Sequence, residues 1–378
     1  MIKQLFTVFS LLAASDELLN KVPEPLRPQE PKSTISYDLE EVKYSNLVAN
    51  VTLAGTLTLP RSEKPSPAVL LIAGSGPIDR DETVFGHKPF LVLADHLTKQ
   101  GFVVLRVDKR GVGQSTGNYS VATTDDFAAD ALAGVKYLKT RKEVDAKQIG
   151  LIGHSEGGLI APMVAVKSND VAFIVLMAAP CVTGEEILYA QEILISRAMG
   201  FTEEQISHQI DFQQQVLSVI KKEPDLEKAE KLLREITAKQ LANLPKDEQQ
   251  VSADTIEAQM KRCNSRWFRY YLTNNPTISL KQLKVPVLVI HGELDSQVSP
   301  KQNLSVIAKS LEEARNRNYK IIEFPKLNHF LQTCETGSIL EYGKIEETIA
   351  PVVLDTLSEW LLETTQHGVK SMGSGQGF

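Results

Sequence analysis

Short apolar runs alternate along the chain with longer stretches whose apolar residues recur every three or four positions. The runs are Ala68 to Ala73, Phe102 to Val107, Gln148 to Ile152, Val171 to Met177, Val285 to Ile290 and Lys320 to Phe324. Each has the length of a strand, and most lack the polar alternation of a strand with one wet face. Between them, Pro89 to Gln100, Asp125 to Thr140 and Pro300 to about Arg315 carry helical periodicity. The second shows Phe127, Ala128, Ala131, Leu132, Val135 and Leu138 on one side. Ile349 to Leu362 reads as a closing helix with Val353, Leu357, Trp360 and Leu361 inward. Strand, helix, strand, helix with buried strands predicts an α/β fold, a mostly parallel sheet covered on both faces. Tyr37 to Leu59 alternates roughly, with Gly55 in mid-run, and predicts two antiparallel strands that begin the sheet.

The alternation stops after Pro180. From Gly184 to about Asn275 no strand pattern occurs. Ile206, Ile210, Val216 and Ile220 repeat at helical spacing, as do Ala229, Leu232, Leu233 and Ile236. This run is too long for a loop and predicts an inserted lid of roughly four helices. The organisation expected is an N-terminal segment and linker over 1–35, a core over 36–183 and 276–365, the lid over 184–275, and a flexible tail over 366–378. The linker follows from the prolines and charges of residues 21–34, and the tail from its Gly/Ser-rich end.

Composition narrows the function classes. The 378 residues are 42% hydrophobic and 23% charged, ordinary for a globular protein. A net charge of −6 without a basic run argues against nucleic acid or an anionic membrane as partner. Cys181, Cys263 and Cys334 are scattered, which suggests neither a disulfide framework nor a zinc site. No apolar run is long enough to span a bilayer. The N-terminal MIKQLFTVFSLLAAS reads either as a short export signal or as a buried helix; its one positive charge favours the second and a cytoplasmic protein.

The candidate chemistry centres on Gly153-His154-Ser155-Glu156-Gly157-Gly158, set between an apolar strand and an apolar, small-residue helix. A glycine-rich turn with a helix-capping serine would share this pattern. The strand-to-helix context instead predicts a nucleophile elbow that exposes the Ser155 hydroxyl above a helix N-terminus. A serine needs a base, and the base an orienting acid, both at carboxyl ends of strands. Asp295 follows one strand and His329 follows the last, so the chain order is Ser155, Asp295, His329. His154 is expected to point away from Ser155, His291 precedes the turn that carries Asp295, and His87 and His96 belong to a surface helix. His208 falls in the insertion and His367 in the tail. Glu293, the nearest substitute acid, sits on the strand side of its turn. Oxyanion donors are expected from the Glu156 N–H and from the Gly74-Ser75-Gly76-Pro77 loop, with Ser75 and Gly76 both open as the second donor. The charges Asp79 to Glu82 read as a solvated face; the sharper alternative pairs Arg80 with a carboxylate that fixes the oxyanion loop. Residues 108–117, DKRGVGQSTG, contain G-x-G without the third glycine of a dinucleotide fingerprint and read as a structural turn. No Walker or HExxH pattern is present, so neither metal nor cofactor is implied.

Together, GSGPIDRDE, DKRGVGQSTG, GHSEGG, GELD and LNHF resemble the α/β-hydrolase superfamily, and in particular bacterial carboxylesterases of the serine aminopeptidase-like branch. The resemblance covers residues from about 36 to 365. It implies a Ser155–Asp295–His329 triad, a helical cap after the sixth strand, and hydrolysis of carboxylic esters without metal or cofactor. Many relatives have His-Gly at the oxyanion loop, where this chain has Ala73-Gly74. The expected substrate is a small ester of short to medium acyl chain, with Trp267 and Tyr271 reaching the pocket. An aminopeptidase-like amidase and a non-catalytic binding protein on the same fold are the alternatives.

Overall fold

The computed structural model describes residues 26–32, 35–242 and 253–373. The stretch read as a possible export signal and the last residues of the expected tail lie outside the described residues. Eight strands form one sheet in the order β1-β2-β4-β3-β5-β6-β7-β8. They are β1 (Asp38–Asn46), β2 (Val51–Leu59), β3 (Ser66–Ile72), β4 (Val103–Val107), β5 (Val144–His154), β6 (Phe173–Met177), β7 (Val287–Gly292) and β8 (Tyr319–Phe324). The pairs β1–β2 and β2–β4 are antiparallel, and every later pair is parallel. The expected mostly parallel sheet with an antiparallel start is therefore observed.

Alternate residues of the buried strands feed two cores. On one face, Leu105, Ile149, Leu151, Ile174 and Leu176 meet α2 (Thr124–Lys139), α3 (Gly157–Lys167) and α10 (Pro300–Glu313) through Phe127, Val135, Ile160, Val164, Ile307 and Leu311. On the other, Val104, Ile152, Phe173 and Val175 meet α1 (Pro89–Lys99) and α12 (Pro351–Gly373), which follows the short α11 (Ile339–Tyr342), through Phe90, Leu93, Leu97, Val353, Leu357 and Trp360. The α2 helix begins in a capping box of Thr123 and Asp126, which satisfies the first free N–H groups. The closing helix runs past the expected Leu362 to Gly373, so much of the stretch read as tail is helical.

Between β6 and β7 the chain forms, among the described residues, α4 (Gly184–Ala198), α5 (Glu203–Lys222), α6 (Leu226–Ala242), α7 (Ala253–Cys263) and α8 (Arg266–Thr273), five helices within 184–275 against the roughly four expected there, and then the short α9 (Thr277–Leu280). The extra breaks have local causes. Thr183 and Thr202 close capping boxes with Glu186 and Gln205, and Ser265 caps α8 by accepting from the Phe268 N–H. Asn264-Ser265 thus ends one helix and starts the next. The described part of the proline-rich stretch is not a free linker. Arg27 donates to the carbonyls of Gly343 and Ile345, and the Gln29 side chain bonds the Thr348 N–H and the Ile349 carbonyl.

Leu151 is fully buried at the centre of the sheet, one face beneath α3. Leu151→Ala should lower unfolding stability by about 2–5 kcal/mol through lost burial and a residual cavity. Denaturant unfolding checks this; a shift below about 1 kcal/mol at unchanged slope would show that this layer is not tightly packed.

Candidate active site

Ser155 joins β5 to α3 with φ of 51°, a left-handed conformation that costs a non-glycine residue on the order of 1–3 kcal/mol. Its N–H donates to the Met177 carbonyl of β6 at 2.9 Å, which holds the bend against the sheet. The flanking glycines are required by close approach. A Cβ at Gly153 would lie 2.1 Å from the Gly157 carbonyl oxygen, and one at Gly157 would lie 1.9 Å from the Ile72 oxygen. The sharp strand-to-helix turn expected around Ser155 is present.

Asp295 follows β7 and His329 follows β8, and the structure brings them together. His329 Nδ1 lies 2.8 Å from Asp295 Oδ2, with both residues buried. The other Asp295 oxygen accepts the N–H groups of Gln297 and Val298, each at 2.8 Å. His291 is not a bystander: fully buried, its Nε2 sits 3.3 Å from Asp295 Oδ2 and 2.7 Å from the Val298 carbonyl. Burial opposes ionisation of Asp295, yet the His329 charge and bonds from His291 and His329 outweigh it and hold the carboxyl well below its usual range. His329 goes down. Its burial, with the nearby His154 and His291, outweighs the pull of Asp295.

The expected solvated face at Asp79 to Glu82 is instead a set of pairings. Arg80 donates to both oxygens of Asp108, at 3.1 and 2.8 Å, as the sharper alternative anticipated. Asp81 pairs with Arg106. Glu82 is 3% exposed and accepts the Gly74 N–H at 2.7 Å and the His154 Nδ1 bond at 3.0 Å. His154 Nε2 reaches the His329 main-chain carbonyl at 3.1 Å, and the two rings stand 5.0 Å apart. His154, set aside in the sequence because it neighbours the nucleophile, therefore ties the elbow to the loop of His329. Burial lowers its pKa, but the Glu82 charge and hydrogen bond raise it more, so the net shift is upward. His87 is likewise buried, bonded to Thr348 and to the Tyr342 carbonyl, and burial pushes it down to about 4.

Glu156 is 1% exposed and lies between three donors: Lys109 Nζ at 3.1 Å, Thr124 Oγ1 at 2.8 Å and Trp267 Nε1 at 2.6 Å. Lys109 also donates to the Gly74 carbonyl, so the stretch read as a mere turn sends a cation into the site. Trp267 stacks on Tyr271 with ring centroids 5.2 Å apart, and the bond to Glu156 ties the stack to the residue that follows Ser155. Gly74 packs against Ser155, since a Cβ on it would lie 3.2 Å from the serine Cβ. Its N–H is taken by Glu82, and the Gly76 N–H faces the Tyr119 hydroxyl. The Ser75 N–H meets no acceptor among the described residues.

The opposite shifts of two adjacent imidazoles can be read directly. In a histidine-resolved NMR titration, His329 should titrate below about 6.5 and His154 above it. Glu82→Gln removes the charge that raises His154, so His154 should fall; His329, relieved of a neighbouring cation, should rise. Movement of both in the same direction would dismiss this coupling.

Residues 88–335 match the family described as serine aminopeptidase, S33. The chain is 28% identical over 327 residues to esterase EstD of Thermotoga maritima, covering 86% of this chain and 69% of the relative. It is 28% identical over 252 residues to a bifunctional esterase/perhydrolase, DCH, of Acinetobacter calcoaceticus, covering 64% of this chain and 80% of the relative. The fold is similar to that of the Pyrococcus furiosus esterase Pf2001, with a TM-score of 0.53 at 17% identity over 91% of this chain and 98% of that one. A sheet of this order, an elbow serine and an acid–histidine pair after the last two strands accompany a family match over most of the chain. The protein belongs to the serine aminopeptidase (S33) family of α/β hydrolases.

Proposed function

We propose that the protein is a serine carboxylesterase that works through an acyl-enzyme, with Ser155, His329 and Asp295 as its triad. The observation that supports this is the 2.8 Å Asp295–His329 bond, together with the strained turn at Ser155, whose neighbour His154 bonds the His329 carbonyl. Because Nδ1 is committed to Asp295, Nε2 is the nitrogen left to take the Ser155 proton. The alkoxide attacks the ester carbonyl, and the N–H groups of Glu156 and Ser75 hold the oxyanion. Gly76 is the weaker donor candidate, since its N–H already faces Tyr119. Imidazolium returns the proton to the departing alcohol, and water then repeats the sequence to free the acid. The helices of residues 184–275 act as the lid, with the Trp267–Tyr271 stack at the acyl side of the pocket.

Two relatives named as esterases support an ester substrate. An aminopeptidase needs a free carboxylate to hold the substrate amine. The buried carboxylates here are all engaged: Glu82 with His154, Glu156 with Lys109 and Trp267, and Asp295 with His329. This favours esters over aminoacyl amides.

Ser155→Ala should abolish ester turnover, on the order of 10⁴-fold or more in kcat, together with fluorophosphonate labelling, while circular dichroism stays unchanged. Retained labelling and turnover would move the nucleophile elsewhere; absence of both in the unaltered protein would favour the binding-protein reading.

Across C2 to C16 p-nitrophenyl esters, kcat/KM should rise with each methylene that fits, by a factor corresponding to about 0.8 kcal/mol, and then fall once a pocket of limited size is full. Trp267→Ala should change this profile. Alanyl- or prolyl-anilides outrunning every ester would overturn the esterase reading; an identical profile in Trp267→Ala would remove that residue from the pocket.

A further inference from the structure

Cations buried or half-buried around the site are matched to acceptors. Arg80 pairs with Asp108, Arg106 with Asp81, Arg110 with Asp130, and Lys109 with Glu156. Arg269, in the insertion, is matched too, donating to the carbonyls of Ile220 and Glu223 and to Asn264. Arg262 differs. It sits on the last turn of α7, just before the helix that carries Trp267, and is half-buried. Its guanidinium makes no hydrogen bond or ion pair with any described residue, although its main-chain carbonyl accepts the Ser265 N–H. Its electrostatic neighbours are the Tyr119 hydroxyl and the Cys263 thiol, and burial lowers its pKa.

Tyr119 locates this guanidinium in the molecule. Its ring stacks on Phe127 at 5.5 Å, the same ring that Lys109 covers at 4.6 Å, and its hydroxyl faces the Gly76 N–H and the charge of Glu156. Arg262 therefore lies within electrostatic reach of Tyr119, whose hydroxyl in turn faces the Gly76 N–H and the charge of Glu156. One turn earlier on the same face of α7 lies Gln259, 6% exposed, whose Oε1 has no hydrogen-bond partner among the described residues. A desolvated cation and a buried amide oxygen without a partner are costly features to keep, and an anionic ligand would relieve the first.

We propose that Arg262, with Gln259 beside it, forms a subsite that holds a second, ionised carboxyl group of the substrate, so that the preferred esters are half-esters of dicarboxylic acids or esters of carboxylate-bearing alcohols. A single guanidinium offers two parallel N–H donors to one carboxylate, and the amide of Gln259 can present its NH₂ to the same group. A doubly charged phosphate would call for more than one free cation, and the lysine nearest the site is already engaged by Glu156. The subsite rests on the esterase reading for its catalytic consequence, but not for its binding.

The experiment compares matched pairs by proton release in a pH-stat near pH 8: monoethyl succinate, glutarate and adipate against ethyl butyrate, valerate and hexanoate, and 4-carboxyphenyl acetate against phenyl acetate. At least one acid-bearing ester should exceed its neutral partner in kcat/KM by roughly 10- to 100-fold, the range of a charge-assisted hydrogen bond in a desolvated setting. In Arg262→Gln that ratio should fall about tenfold or more, Arg262→Lys should restore part of it, and Arg266→Gln, an exposed neighbour, should leave it unchanged. Calorimetric titration with glutarate and adipate should give binding that weakens in Arg262→Gln. Neutral partners matching every acid-bearing ester, or a preference that survives Arg262→Gln, overturns the subsite. Dicarboxylate binding that depends on Arg262 in a protein that turns over no ester would keep the subsite and remove the esterase reading.

Discussion

The Glu82 carboxylate is the point at which three loops of the site are held to one another. It accepts the Gly74 N–H of the loop after β3 and the ring of His154 at the end of β5, and His154 in turn grips the carbonyl of His329 after β8. These segments lie far apart in sequence and on three different strands. None of them is fixed in the required place by secondary structure alone, because each begins where its strand ends. A buried carboxylate whose one oxygen, Oε1, is shared by a main-chain N–H and an imidazole is strongly position-dependent. Removing one partner of such a buried pair leaves an uncompensated charge, at a cost of about 3–5 kcal/mol. The geometry of donor loop, elbow and histidine loop is thus set by a residue that touches none of the reacting atoms.

Glu156 plays the matching part on the other side of the elbow. Its N–H belongs to the oxyanion site of the proposed mechanism, while its side chain gathers Lys109, Thr124 and Trp267. Lys109 carries the contact back to the Gly74 carbonyl, so Gly74 is held through its N–H by Glu82 and through its oxygen by Lys109. Trp267 carries it outward to the helical insertion. Gly74, which packs on Ser155, is therefore held from both sides. The Ser75 N–H meets no acceptor among the described residues, and in the proposed mechanism it meets the developing negative charge. A preorganised donor of this kind needs no reorganisation at the moment of reaction, which is where such donors gain their value.

Much of this was legible in the sequence, and the parts that were not share a cause. The sheet followed from the apolar runs because strands buried on both faces have almost no other way to read. Asp295 and His329 could be named because each follows a strand end in the right chain order. Glu82 could not, because a run of Asp79, Arg80, Asp81 and Glu82 looks solvated until the partners that bury it are known. Those partners, Arg106, Asp108 and His154, come from β4, the loop after it, and the end of β5. Lys109 was hidden in the same way inside a glycine-rich turn. The helix count in the insertion was underestimated because one apolar periodicity can continue through a Ser265 cap that ends it as a helix. Hydrophobic pattern reports which surface a residue shares with the core; it does not report which charges find each other across loops.

The two neighbouring imidazoles show how the frame becomes chemistry. His154 and His329 stand 5.0 Å apart in the same buried setting, yet their pKa values move in opposite directions. The difference lies in what their partners contribute against burial. Glu82 outweighs burial at His154; at His329 the pull of Asp295 is met by burial together with the two other histidines, and burial prevails. Protonation of His154 would further favour a neutral His329, the state that the proposed base requires. The acid that holds the loops in place thus also favours, by way of His154, the neutral form that His329 needs in the proposed mechanism. Splitting adjacent titratable groups in this manner is what assigns one to structure and the other to proton transfer.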